Sequence, residues 1–292
     1  MKLTVTVPAS TANLGPGFDA FGLALGLHDV VEVEVTDSGL KVEVIDAGGG
    51  DMADVPTDER HLVVRALRRA CRHLGIEVPG LHLRCHNAIP HSRGLGSSAA
   101  AAVAGIAAGY ALAGQPTDET ALQLAAEFEG HADNAAASLF GGFVIAWGVG
   151  ERFHAERLEP HAAIRPVVAV PAQRSSTHET RGLLPERVPL TDAAFSAGRA
   201  ALAVHAVTSR PELLLTATED RLHQDYRAPA YPDTMRLVRA LREHGVAATV
   251  SGAGPTVLAL TTTGILPPEV DVAPFEVTEL PVDLTGVNVT AR

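Results

Sequence analysis

The chain has 292 residues, 46% hydrophobic and 20% charged, and its 34 acidic against 23 basic side chains give a formal charge of −11. That length is more than one hydrophobic core usually serves, so two domains or one large one are expected. The acidic balance argues against nucleic acid as a partner, which needs clustered Lys and Arg. The only two cysteines, Cys71 and Cys85, read as reduced thiols of a cytoplasmic protein.

Lys2–Val7 alternates polar and apolar residues and predicts a strand, with no apolar core of a signal peptide around it. Pro8–Asp19 (PASTANLGPGFD) is rich in turn formers and predicts a loop carrying Asn13 and Asp19. Asp29–Thr36 and Leu40–Ile45 alternate valine with charge, as antiparallel strands with one wet face would. Glu59–Leu74 has helical spacing, with Leu62, Ala66, Leu67, Ala70 and Leu74 on one side and arginines opposite. Leu81–His86 predicts a strand that delivers the chain into PHSRGLGSSAA (Pro90–Ala100).

In that stretch Gly94 and Gly96 can take positive φ or admit a ligand close to the backbone. Ser97 and Ser98 sit where a helix cap belongs, and the alanines from Ala99 open a strong helix-forming run. A glycine turn at a helix N-terminus offers free amides and the positive end of the helix dipole, which suits phosphate. It is neither a Walker A loop nor a Rossmann turn. Read alone, it is either a phosphate cradle or a loop that merely starts a buried helix. The apolar run from Ala99 to Gly114 is about 16 residues and small, too short to span a membrane.

After the break at Gly114-Gln-Pro116, Thr117 or Asp118 can cap a helix to about Phe128. Glu127–Asn134 (EFEGHADN) places carboxylates and an imidazole at that helix's C-terminal end, where a carboxylate opposes the dipole. Phe143–Trp147 reads as a strand, and the change in composition over Gly148–Glu159 suits a domain boundary. Beyond it the pattern predicts a strand at Ile164–Val170, a polar loop to Thr180, and helices at Thr191–Val207, Pro211–Ala217 and Pro232–His244. Strands at Val246–Val250 and Val257–Leu260 flank SGAGPT (Ser251–Thr256), and a last strand falls near Val287–Thr290. Pro255 removes an amide from that second glycine loop, so a supporting turn is the better reading for it.

PASTANLGPGFD, PHSRGLGSSAA and SGAGPT, in this order and spacing, resemble the GHMP small-molecule kinases, and NLGPGFD with EGHADN (Glu129–Asn134) is similar to the homoserine-kinase branch of that family. The resemblance covers essentially the whole chain. It implies an α+β, two-domain fold: a ribosomal protein S5 domain 2-like ATP-binding part over residues 1–155, with a left-handed crossover, and a ferredoxin-like layer over 156–292. It implies ATP and Mg²⁺ as cofactors and L-homoserine as the acceptor, phosphorylated on the way to threonine. No nucleic-acid or membrane partner is expected, and a homodimer is left open.

Residue by residue, the resemblance places Pro90, Ser92, Arg93, Gly94, Leu95, Gly96, Ser97, Ser98 and Ala99 around the nucleotide phosphates. It puts His61 near the adenine and Thr177 near the γ-phosphate. Ser98 and Glu129 would serve the metal, with Glu127 as the other acid; some relatives carry the metal carboxylate upstream, where this chain has Gln123. Asn13, Asp19 and His131 would take the amino and hydroxyl end of the substrate. Arg181 and Arg227 would take its carboxylate, for which a planar guanidinium fork is suited. Asp133, Asn134 and Arg181 are the expected catalytic positions, Asp133 being a candidate base, although a loose transition state can do without one.

Two other classes are open to the residues alone. Gly96-Ser97-Ser98 approximates a hydrolase nucleophile elbow, but no oxyanion segment of the HGGG kind accompanies it. A kinase for another small alcohol, such as mevalonate, would leave an ammonium-binding Asp19 without purpose. Zinc chemistry lacks both a His-Glu-x-x-His pair and paired cysteines.

Overall fold

The structure is a computed structural model and describes residues 1–50, 52–175 and 180–291. Seven strands form the first sheet. Strands β1 (Lys2–Asn13), β2 (Gly17–Thr36), β4 (Gly80–Asn87) and β3 (Gly39–Asp46) stand side by side in that order. The expected loop at Pro8–Asp19 is instead a long hairpin. Ala9–Ala12 pair with Leu25–Gly22, and only Leu14–Pro16 make the turn. Burial decides this: Ala9, Ser10, Thr11 and Ala12 are all covered, so their backbone groups need ladder partners whatever their local turn preference.

The second departure concerns β3, which pairs only with β4 and runs parallel to it, so β2 and β3 are not neighbours. Helix α1 (Leu62–Leu74) makes the connection that a parallel pair requires. It packs against α2 (Ser97–Leu112), which is buried on nearly every side by its alanines and glycines. Helix α3 (Glu119–Ala126) is capped by Asp118, whose carboxylate accepts from Ala121 N at 3.0 Å. A further helix, α4 (Asp133–Phe140), begins inside EGHADN and was not expected, because eight residues rich in alanine carry little periodicity.

Strands β5 (Phe143–Val149) and β6 (Arg152–Leu158) form a hairpin on the near end of β2, so a division at 155/156 would cut a paired strand. We propose to divide the chain after Leu158, with β11 (Asn288–Ala291) counted to the first sheet, since it returns to pair with β1. The second sheet comprises β7 (Arg165–Val170), β8 (Ala247–Val250), β9 (Val257–Thr261) and β10 (Glu276–Glu279). It is antiparallel in the order β10-β7-β9-β8, as in a ferredoxin-like layer.

Alternation along those strands gives that sheet two buried faces. Leu258 and Leu260 join the main core together with Ala203, Ala206 and Val207 of α5 (Leu190–Thr208). Val257 and Ala259 meet a smaller core under α8 (Pro232–Glu243). Short helices α6 (Leu214–Ala217) and α7 (Gln224–Arg227) lie between α5 and α8. Among the described residues no helix is long and apolar enough to cross a membrane.

Candidate active site

Glycine loop and helix meet where the first sheet faces the second. The cap of α2 is Gly96, with φ 69°, and Ala100 N is the first amide to find an intrahelical acceptor, Gly96 O at 2.8 Å. The serines therefore occupy the first turn instead of the cap position, and the amides of Ser97, Ser98 and Ala99 have no intrahelical acceptor. Gly94 and Gly96 are required sterically as well as by φ. A methyl group at Gly94 would sit 2.4 Å from Ser251 O, and one at Gly96 would sit 2.1 Å from Ser10 Oγ.

The second glycine loop braces the first, as its sequence suggested. Ser251 Oγ lies 2.5 Å from Gly94 O, Thr256 N donates to Arg93 O at 3.3 Å, and Gly252 N donates to Ala12 O at 3.1 Å. Arg93 lines the cavity, but its guanidinium is occupied by carbonyls: Nε reaches Pro171 O at 3.0 Å, Nη2 Ala172 O at 3.0 Å and Nη1 His91 O at 3.1 Å. Leu95 and Ala99 turn their side chains into the core, and Pro90 lines neither cavity described below.

Two cavities meet at Ser92, Ser97 and Ser98. The first, about 280 Å³, gathers Asn13, Asp19, Glu129, His131, Asp133, Asn134, Arg181, Arg227 and Gly252. The other, about 370 Å³, is lined by Val7, Val31, Val55, Pro56, Leu62, Val63 and Ala101, with Asp29, His61 and His91 among them. A larger hollow of about 890 Å³, bordered by His161, Arg210, Gly245 and Leu266, holds none of the motif residues.

In the polar cavity Arg181 forks onto Asp19, Nη1 to Oδ2 at 2.9 Å and Nη2 to Oδ1 at 2.7 Å. Asn13 has φ 71° and is fixed at both ends of its amide. Its Nδ2 donates to Gly252 O at 2.9 Å, and its Oδ1 accepts from Asp19 N at 3.0 Å. Arg227 is only 1% exposed, and its Nη1 reaches His223 Nδ1 at 3.1 Å and Gly252 O at 3.3 Å. Both guanidiniums flank one ring: Arg181 and Arg227 lie 5.4 and 5.5 Å from the centroid of Phe18.

At the start of α4, Asp133 Oδ1 accepts from Asn134 N at 2.7 Å and lies 2.8 Å from His131 Nδ1. Burial disfavours the His131 cation, but the Asp133 hydrogen bond and the charges of Asp133, Glu129 and Asp19 outweigh it, so His131 holds its proton above the usual imidazole range. Asn134 Oδ1 accepts from Ser10 Oγ at 3.0 Å. Ser98 Oγ donates to Glu129 Oε1. The other acid, Glu127, lies elsewhere, held by Arg69 through two bonds of 3.0 and 3.1 Å. Gln123 is also away from the cavity, tying α3 to the β6 hairpin through Glu151 O and Phe153 N.

A hydroxyl beside a carboxylate, both hard oxygens and both on the wall of the polar cavity, fits Mg²⁺, which takes one or two protein oxygens and fills its shell from phosphate and water. Among the described residues no group of three or more His, Cys, Asp or Glu could hold a metal alone. In the apolar cavity, burial and then the neighbouring His91 push His61 down to about 4, and its buried Nδ1 has no hydrogen-bond partner among the described residues. Thr177 lies outside the described residues.

Sequence reasoning missed Phe18 and His223. The one signal for His223 was its four-residue spacing from Arg227, which puts the two on one helical face.

A helix N-terminus behind a braced glycine loop, opening on two adjoining cavities, defines a small-molecule phosphotransferase. Models of the GHMP kinases' N-terminal and C-terminal domains match residues 61–142 and 200–271, and the chain belongs to the GHMP kinases. Within that family it is similar to homoserine kinases. It is 56% identical to that of Rhodococcus erythropolis over 90% of this chain and 87% of the relative, and 56% identical to that of Streptomyces avermitilis over 88% and 84%. The crystal structure of homoserine kinase from Cytophaga hutchinsonii superposes with a TM-score of 0.86 at 27% identity, over 99% of this chain and 97% of that one. Mevalonate kinase of L. major shares the fold, with a TM-score of 0.67 at 16% identity over 96% of each chain.

Proposed function

We propose that the protein transfers the γ-phosphoryl group of ATP to the side-chain hydroxyl of L-homoserine, giving ADP and O-phospho-L-homoserine, as a step of threonine biosynthesis in the cytoplasm. One observation carries the reading. A cavity with an anion and two guanidiniums arranged for an α-amino acid opens directly onto the free amides of α2. The similarity to homoserine kinases supports the same substrate.

On this reading the amides of Ser97–Ala99 hold the phosphates, and the apolar cavity takes the adenine against Val63 and Ala101. His61, neutral and with an Nδ1 that no described residue engages, lines it from the cap of α1. Ser98 and Glu129 would hold Mg²⁺, which when bound neutralises phosphate charge. Asp19 takes the substrate ammonium, with Asn13 and His131 beside it, and Arg181 and Arg227 take the carboxylate. Homoserine thus replaces the Arg181–Asp19 ion pair with two pairs of its own. The side chains of that pair are 42% and 35% exposed, and such a pair contributes about 0–1 kcal/mol, so the substrate's two charges suffice to separate it.

In the transfer, the homoserine hydroxyl oxygen bonds to the γ-phosphorus as the bond to the β,γ-bridging oxygen breaks, and ADP leaves. We assign Asp133 to positioning: its Oδ1 lies 2.8 Å from His131 Nδ1 and accepts from Asn134 N, which holds both residues at the start of α4. The hydroxyl proton then passes to the transferred group, which a loose transition state permits.

ADP release measured across L-homoserine, mevalonate, galactose and serine tests the reading. Turnover is expected with homoserine and not with mevalonate, which offers no ammonium to Asp19; turnover with mevalonate alone would overturn it. In Arg181→Ala the homoserine KM should rise about 10–100-fold, the worth of a charge-assisted hydrogen bond or two, and an unchanged KM would remove Arg181 from the site.

A further inference from the structure

We infer that His223, with Phe18, is the positioning device that aims Arg227 at the substrate, and that it acts as a neutral imidazole protonated on Nε2. The inference rests on the homoserine reading above.

His223 is wholly buried at the head of α7, four residues before Arg227. Its two ring nitrogens face groups whose roles are fixed. Nε2 lies 2.8 Å from Gly15 O, and a carbonyl can only accept, so Nε2 carries hydrogen. Nδ1 lies 3.1 Å from Arg227 Nη1, and a guanidinium can only donate, so Nδ1 carries none. An imidazolium would set two N–H groups against each other. The surroundings agree in direction. Burial lowers the imidazole's hold on a proton, and Arg227 adds to that, while Asp220, 3.6 Å from Nε2, pulls the other way and loses. The other titratable groups that act on this cluster among the described residues are Asp19 and, through Arg227, Tyr231 and Arg181.

The arrangement fixes Arg227 in space. Gly15 is the tip of the β1–β2 turn, so His223 ties the arginine to the hairpin that presents Asn13 and Asp19. Phe18 completes the support: the imidazole stacks on it at 5.2 Å with 29° between planes, and the guanidinium lies over it at 5.5 Å. Nη1 is spent on His223 and Gly252 O, which leaves Nη2 outside these bonds in a residue that lines the polar cavity. A fork held by one prong presents the other at a fixed angle.

The test compares His223→Gln with His223→Phe in the full chain. Glutamine keeps an acceptor and a donor on one side chain, whereas phenylalanine keeps the bulk and the stacking but neither hydrogen bond. The homoserine KM should rise about 10–100-fold in His223→Phe and stay within about threefold of wild type in His223→Gln, with the ATP KM unmoved in both. In a double-mutant cycle with Arg227→Lys, the effects should fall well short of additive. A role in folding alone would lower the melting temperature while leaving the homoserine KM of the folded enzyme unchanged, and that result, or full additivity, overturns the inference. Should His223→Phe fail to fold, ¹⁵N NMR of the wild-type imidazoles decides. A neutral, Nε2-protonated His223 at pH 7, assigned by its loss in His223→Gln, supports the inference, and an Nδ1-protonated or doubly protonated ring overturns it. Wild-type enzyme without homoserine turnover would defeat the substrate reading instead, so the two failures are distinguishable.

Discussion

The cavity around Asp19 and the cavity around His61 share Ser92, Ser97 and Ser98 but are assembled in different ways. Apart from Arg174, every residue lining the His61 side lies between Val7 and Ala104, so the first domain builds it almost alone. The Asp19 side needs both parts of the chain. Asn13 is bonded to Gly252, His223 to Gly15, and Arg181 to Asp19, across sequence separations of 239, 208 and 162 residues. The side we propose for the nucleotide is therefore mostly apolar space built within the first domain. The side we propose for the substrate is a set of charges whose aim depends on long-range hydrogen bonds. Outside Ser251–Thr256, which brace the glycine loop, damage to the substrate-side residues of the second half, Arg181, His223 and Arg227, should fall on the amino acid and spare the nucleotide.

The largest effect should come from Arg227→Ala, which removes the buried one of the two guanidiniums assigned to the carboxylate. We expect kcat/KM for homoserine to fall about 10²–10³-fold, while titration with an ATP analogue gives the wild-type affinity. Equal losses for both ligands would show that the two cavities are not separable. The converse is Gly96→Ala. Its φ of 69° and the methyl group 2.1 Å from Ser10 Oγ force the cradle to shift. The cost should appear as a rise of about 10–100-fold in the ATP KM, with homoserine binding preserved in calorimetry.

The smallest effect is one of stability and pH. Asp29 lines the nucleotide side and accepts from Ala88 N and Ile89 N at 2.7 and 2.9 Å. Burial, only partly offset by those amides and by His28, raises it to about 6. The native state therefore binds this proton more tightly than the unfolded chain. Stability is lost as pH rises from the ordinary carboxyl range through about 6. Asp29→Asn keeps an acceptor for both amides without the charge. Its melting temperature should come close to wild type near pH 4 and exceed it at pH 7 by about 5 °C, corresponding to about 3 kcal/mol. A gap of the same size at both pH values would show that the charge is not the cause.

Much of the first domain was legible because its strands alternate and its glycine loop is chemically distinctive. Pro8–Asp19 was not, since the same residues that favour turns also pair when tertiary burial demands it, and nothing local reports that demand. The parallel partner of β3 was hidden for a similar reason, as strand direction is set by α1 and not by the alternation within β3. On the site, the residues alone left the glycine loop either a phosphate cradle or the start of a buried helix, and the resemblance chose the cradle, as it chose Asn13, Asp19, Arg181 and Arg227, because one arginine or aspartate looks like another until the fold gathers them. Arg93 shows what a motif does not say: it lines the polar cavity from within PHSRGLGSSAA, and its guanidinium is bonded to the carbonyls of Pro171, Ala172 and His91.

The central claim is that an amino acid alcohol and a triphosphate meet at Ser97 and Ser98. Phosphorus NMR of the protein with Mg²⁺, ATP and L-homoserine tests it most directly, with 4-hydroxybutyrate, which lacks the ammonium, as the control. The expected result is a new phosphate monoester growing in step with ADP from homoserine, and next to none from 4-hydroxybutyrate. ADP formed without any phosphoester, or phosphoesters formed equally from both alcohols, would contradict it.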